Sequence, residues 1–221
     1  MSGALQAVFQ NLRSFVSVPV PPPTIGAAYE GGFFAGQIST AGTGVADYNL
    51  VIGPKASTQS ALQWKTSNTA TAGTSSIIDG PANSAAMNNA THPAAQFCEA
   101  LTVGSNTDWY MPAKNELEVC YYNLKPTTGA NNTVSGINTN SVPARASNYT
   151  SGNPAQTSAA AFVTSTGAEA FDATYYWTST QDPFNSGNNF AKWQRFDNGR
   201  QYYGQKIYTY INVRAVRRVA V

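Results

Sequence analysis

Charge is scarce in this chain: only 11% of its 221 residues are charged, and 13 basic against 11 acidic side chains leave a formal net charge of +2. A protein that grips a phosphate backbone concentrates Lys and Arg far more heavily, so nucleic acid is not the expected partner. The basic cluster Arg214, Arg217 and Arg218 lies in an expected strand, where local ion pairing and solvated strand faces account for it. Histidine is scarcer still. His92 is the only one, and its place between Thr91 and Pro93 at an expected helix start suits hydrogen bonding better than base chemistry. No Ser/His/Asp or Cys/His set assembles, so no catalytic residues and no enzyme activity are expected. No apolar run approaches membrane-spanning length, and the N-terminus has no basic region leading into an apolar stretch and a cleavage site. Those absences predict synthesis in a cytoplasm without a secretion signal, and no membrane insertion. The two cysteines, Cys98 and Cys120, each fall on the apolar stripe of an expected helix. Buried free thiols are the simpler reading, with a disulfide as the alternative, because sequence does not bring their Cα atoms within bridging range.

What is abundant is polar and uncharged: Ser, Thr, Asn, Gln and Gly recur throughout the chain after residue 37. That habit is common among extracellular and virion surface proteins. Residues 1–25 stand apart. Ala4, Leu5, Ala7, Val8, Phe9, Leu12 and Phe15 form an apolar set with partly helical spacing, and Pro19, Pro21, Pro22 and Pro23 then impose an extended spacer. A short apolar helix on a stiff proline arm suits docking into another subunit, with Leu5, Val8, Phe9, Leu12 and Phe15 as the docking residues.

Residues 26–221 read as one mixed α+β domain of antiparallel strands, two helices and long loops. Residues 32–38 and 47–54 look like strands joined by a glycine-rich turn, and residues 62–65 like a third short strand. Thr91 is placed as an N-cap ahead of Pro93, with Ala94, Phe97, Cys98 and Leu101 on one helical stripe. Pro112 is expected to open a second helix whose stripe is Leu117, Cys120, Tyr121 and Leu124 and which Pro126 ends. Residues 127–157 then form a long Asn/Thr/Ser/Gly segment, of the kind that is functional or mobile.

The last fifth of the chain contrasts core-like flanks with a surface-like middle. Trp177, Trp193 and the alternating Val213-Arg214-Ala215-Val216 suit strands, whereas the stretches Asp182 to Asn189 and Asn198 to Gly204 interleave turn formers with amphipathic side chains, among them Tyr202 and Tyr203. Asp197-Asn198-Gly199 is a hairpin signal, since Asn-Gly tolerates positive φ. Tyr offers large contact area at low entropic cost and Asn adapts its hydrogen bonds, which is the composition of a recognition surface.

Three stretches in order carry a family resemblance: Asp108-Trp109-Tyr110-Met111-Pro112-Ala113-Lys114-Asn115-Glu116-Leu117, Tyr176-Trp177-Thr178-Ser179-Thr180, and Asn212-Val213-Arg214-Ala215-Val216-Arg217-Arg218. Over residues 26–221 the chain resembles the C-type-lectin-like domains of collagen-like adhesin C-terminal regions and phage tail proteins, near the formylglycine-generating-enzyme branch of that fold. The resemblance implies a virion surface protein of the tail-fibre or tail-tip type, docked by its N-terminal arm to other virion proteins. Its lectin-like head would occur in several copies as a homo-oligomer and recognise a host-surface protein or glycan. The alternative is a capsid decoration or tail-assembly protein without receptor binding. By position the resemblance assigns ligand contacts to Asn185, Asn189, Lys192, Gln194, Arg200, Tyr202, Tyr203, Tyr208 and Tyr210. The enzymatic relatives use reactive cysteines near their C-terminal region, whereas Cys98 and Cys120 lie much earlier, so that activity does not carry over. The paired sugar-binding calcium motifs are absent: Gln181-Asp182-Pro183 has related letters in the wrong order, and Gln194-Arg195 follows Trp193. No metal or cofactor is therefore expected, with Asp172, Asp182 and Asp197 as the carboxylates that a structural calcium ion would use.

Overall fold

The computed structural model describes residues 21–183 and 189–221. Within them the chain is mixed α+β, with two five-stranded, mostly antiparallel sheets and few helices. The first sheet contains β1 (Ala28–Tyr29), β2 (Gly32–Ile38), β3 (Tyr48–Ile52) and β10 (Val216–Ala220) in that spatial order, with β5 (Ser141–Val142) paired to β2. The second runs β4 (Gln59–Ala61), β9 (Asn212–Arg214), β6 (Tyr175–Gln181), β7 (Phe190–Arg195) and β8 (Gln201–Gln205). Only the β6–β9 pairing is parallel.

Among the described residues the four α-helices are short: α1 (Lys55–Thr58), α2 (Gly80–Ala85), α3 (Pro93–Glu99) and α4 (Lys114–Leu124). The stripe expected for α4 is correct, since Leu117, Cys120, Tyr121 and Leu124 are all fully buried. Glu116 and Glu118 of the same helix are fully buried too. Such burial is tolerable only because each carboxylate is partnered. Glu118 accepts from Arg145, from Asn138 and from the Tyr149 hydroxyl at 2.7 Å. Glu116 accepts from the Tyr110 hydroxyl at 2.5 Å, the Ala113 amide at 2.8 Å and Arg218 Nε at 2.8 Å.

Packing of α4 on the first sheet depends on Gly36. It sits at φ +134° beside a β-bulge in β2, and a Cβ there would lie 2.4 Å from Asn123 Nδ2. Only glycine admits both that conformation and that close approach.

Several boundaries differ from the sequence reading. The third strand is Gln59–Ala61 rather than residues 62–65, because Trp64 leaves the sheet to bury completely and donate to Thr178 O at 2.8 Å. Thr91 does not cap α3: His92 is the N-cap residue, and the Thr91 hydroxyl bonds Asn89 Oδ1 instead. Nor does Pro112 open α4. Its carbonyl accepts from Ser179 N at 2.8 Å, which holds Pro112 and Ala113 extended until Lys114, whose amide is capped by Thr180 Oγ1 at 3.0 Å. The long segment 127–157 is packed through buried asparagines: Asn131 donates to Pro154 O, Asn138 to Asn115 O and Asn140 to Ser39 O. Ile25, assigned to the arm, packs against the core. Residues 1–20 lie outside the described residues, and with them Leu5, Val8, Phe9, Leu12 and Phe15.

Both cysteines are buried free thiols, Cys98 in the core cluster that holds Trp64 and Met87 and Cys120 in the separate cluster that holds Tyr121 and Leu124. The three arginines near the C-terminus form ion pairs as expected, but their strand faces are not solvated: Arg214 is fully buried and the Arg217 and Arg218 side chains are only 11% and 12% exposed. Arg214 binds Glu169, Arg217 forms a two-pronged bond with Asp108 at 2.7 and 3.0 Å, and Arg218 binds Glu116.

Candidate recognition site

The three stretches that carry the resemblance meet in space. Tyr110 and Val216 exchange both backbone hydrogen bonds, Ser179 N reaches Pro112 O, and Thr180 caps α4. They form a frame that includes β6, all of whose residues after Tyr175 are buried. Trp177 within it is fully buried and donates to Leu62 O at 3.0 Å.

On that frame β7 and β8 form a hairpin whose tip contains Gly199 at φ +73°. Among the described residues β8 pairs only with β7, at the edge of the sheet. Trp193 stands opposite Tyr202 and Lys192 opposite Tyr203. Alternation along a strand would send Tyr202 and Tyr203 to opposite faces. Their rings instead come together over the edge, stacked at 4.2 Å and 18°. An aromatic band therefore passes from one face to the other. It runs from Phe190 to Tyr203 (5.4 Å), through Tyr202 to Trp193 (5.9 Å), on to Tyr175 (4.8 Å), and by Tyr210 (6.2 Å from Tyr175) to Tyr208 (5.2 Å from Tyr210). Arg200 lies over Tyr202 at 4.8 Å and Arg195 over Tyr175 at 5.1 Å. Tyr202 is 45% exposed and Tyr210 58%, large values for side chains with that much apolar area.

Beside the band is a cleft of about 350 Å³ lined by Lys114, Asp182, Lys192, Trp193, Gln201, Tyr202 and Tyr203. Lys192 Nζ stands 3.6 Å from Asp182 Oδ1, and the Asp182 side chain is only 2% exposed. Burial, only partly countered by Glu118 and reinforced by repulsion from Lys192, lowers the Lys114 ammonium from its ordinary pKa. A second cleft of about 280 Å³ adjoins the first, and Lys114 and Gln201 line both. Its far wall holds Val134 and Ile137, which are 76% and 48% exposed.

The structure thus brings together Lys192, Arg200, Tyr202 and Tyr203, and links Tyr208 and Tyr210 to them through Tyr175 and Trp193. Asn189 is half-buried just ahead of β7, whereas Asn185 lies outside the described residues. Gln194 is a correction. It is fully buried and donates to Tyr149 OH at 3.2 Å and Gly199 O at 3.4 Å, so it supports the hairpin from inside and faces no ligand. Sequence reasoning missed Tyr175 and Gln201. Lys114 is missed as well: it enters the sequence reading only as one letter of the first stretch, and its place beside β6 follows from the Thr180 Oγ1 cap on its amide.

Elsewhere, His92 is buried and its ring is held at both nitrogens: Nδ1 donates to Asn89 Oδ1 at 2.8 Å, and Nε2 accepts from the Thr71 hydroxyl at 2.9 Å. Burial first, then the positive charges of Lys65 and Lys206, lower its pKa to about 4. Lys206 beneath Trp64 is brought to about 7, by burial and then by Lys65. Burial raises both thiols well above their ordinary range. Asp172 faces Lys55, Asp182 faces Lys192 and Asp197 faces Arg195. Among the described residues no three metal-ligating side chains stand together, and no helix is long and apolar enough to cross a membrane.

No family model, curated protein or solved structure matches this chain.

Proposed function

We propose that this chain is a non-enzymatic recognition protein: a C-type-lectin-like head that presents the β7–β8 edge to a ligand on a host surface, carried on a virion by its N-terminal arm. The observation that supports recognition most strongly is the aromatic band running over the β8 edge of the sheet into a cleft with two lysines. Exposed, mutually stacked tyrosines are preorganised contact area, since little side-chain freedom remains to be lost on binding. The virion setting and the lectin-like fold rest on the three ordered stretches, whose residues interlock around the N-terminus of α4. Several copies on one particle would turn weak single contacts into firm attachment through avidity.

A capsid decoration or tail-assembly role would use the same exposed aromatics as subunit contacts. Hydroxyl-radical footprinting of assembled particles separates the two. Labelling of Tyr202 and Tyr210 in the particle supports host recognition, whereas protection of both by neighbouring subunits supports the assembly role and overturns receptor binding through this edge.

A further inference from the structure

Lys114 and Lys192 line the same cleft of about 350 Å³, and the backbone of each is tied to β6 by a threonine hydroxyl. Thr180 Oγ1 accepts from the Lys114 amide at 3.0 Å, and the Thr178 hydroxyl donates to Lys192 O at 3.0 Å. Two acids bear on this pair of cations, and both are engaged. Glu118, whose field acts on Lys114, is fully buried and bound by Arg145, while Asp182 pairs with Lys192 at 3.6 Å. Residues 1–20 and 184–188 contain no acid. Among the described residues no carboxylate pairs with the half-buried Lys114, and its Nζ donates to a neutral acceptor, Asn115 Oδ1, at 3.2 Å.

The lining thus has two cations against one acid, and Arg200 adds a further cation at the exposed rim. Lys114 and Lys192 repel one another. A ligand group with one negative charge balances that excess and replaces repulsion with charge-assisted hydrogen bonds. The first amides of α4 take no part, because those of Lys114 and Asn115 already donate to Thr180 Oγ1 and Ile77 O. A flat ring finds less to bind. Tyr203 stacks on Tyr202 at 4.2 Å and Arg200 lies over Tyr202 at 4.8 Å, so Tyr202 presents its edge to the cleft. Charge, more than ring stacking, is what this cleft can select.

We infer that the cleft is an oxyanion site, in which Lys114 and Lys192 together hold one singly charged group, a phosphodiester or a carboxylate, of the ligand that meets the β7–β8 edge. The inference rests on the reading of that edge as a recognition face and adds the chemistry its ligand must carry.

Titration of the full chain, with lysines labelled at 13Cε and followed by NMR, tests it without a substitution in the site. Bis(glycerol) phosphate supplies the diester, galacturonate the carboxylate and galactose the neutral control, all at one ionic strength. An anion between the two ammonium groups favours their charged forms, so the titration midpoints of Lys114 and Lys192 should rise by about one pH unit. Galactose should leave both unchanged. The anion that gives the larger rise identifies the source of the charge, and a response to either sustains the site. Lys192→Gln, if its denaturation midpoint stays near that of the parent, should weaken the effective anion at least about tenfold. The parent titration decides the matter where that variant is unstable. No rise with either anion, an equal rise with galactose, or undiminished affinity in a folded Lys192→Gln variant each overturns the inference. If Tyr202→Ala abolishes binding to envelope material while neither anion moves the lysines, the oxyanion site falls and the recognition face stands. If Tyr202→Ala leaves envelope binding intact, both fall.

Discussion

Arg218 Nε donates to Glu116 Oε1 at 2.8 Å, tying the last strand of the chain to the first turn of α4 across 102 residues. The same guanidinium reaches Ile78 O and lies over the Tyr48 ring at 5.2 Å, while Glu116 also holds the Tyr110 hydroxyl and the Ala113 amide. Burial pushes the Glu116 carboxyl above its ordinary pKa, against the pull of Arg218, Tyr110 and that amide.

Removing one member of such a pair leaves the other buried without compensation. Arg218→Ala is therefore expected to lower stability by about 3–5 kcal/mol, and Arg218→Met combined with Glu116→Gln to recover part of that loss. Chemical denaturation of the three proteins checks this. A loss below about 1 kcal/mol for Arg218→Ala would put the pair in the class of weak surface contacts.

His92 gives the fold an acid sensitivity with a defined sign. Its folded-state pKa of about 4 lies below the ordinary 6.5, so between those values the unfolded chain binds a proton that the folded chain does not. Its contribution is thus present above pH 6.5 and is lost as the pH falls toward 4. Glu116, with its raised pKa, works in the opposite direction over part of that range. Comparison with His92→Gln isolates the histidine: denaturation midpoints of the variant should fall less steeply over this window than those of the parent.

The thiols give a chemical check on packing. Cys98 and Cys120 are fully buried and their thiolates are disfavoured by burial. Neither should react with iodoacetamide in the native chain, and both should react in denaturant. Rapid native labelling of either would contradict the core assigned to α3 and α4.

The arm is tested by deletion. A chain lacking residues 1–23 should keep the denaturation profile of the parent and fail to enter assembled particles. Normal incorporation would contradict the docking role given to Leu5, Val8, Phe9, Leu12 and Phe15.

Much of the frame is legible in the sequence because it follows simple periodicities. The α4 stripe, the strands β2 and β3, and the hairpin at Asn198-Gly199 all come from spacing and turn chemistry. Boundaries fail where a distant backbone group decides them: Thr180 and Ser179 set where α4 begins, and Trp64 leaves its strand to reach Thr178. The candidate site is legible in part. Tyrosine-rich composition marks Tyr202, Tyr203, Tyr208 and Tyr210, but composition does not distinguish Gln194, whose amide turns inward to Tyr149, from Gln201, which lines the groove. Lys114 joins the site only because capping by Thr180 brings the start of α4 against β6.

The exposed aromatic edge is the central claim, and envelope binding by the full chain measures it most directly. Tyr202→Ala together with Tyr210→Ala should reduce binding to envelope material of the host by at least about tenfold, equivalent to 1.4 kcal/mol, with an unchanged denaturation midpoint. Unchanged binding by a fully folded double variant would contradict the account.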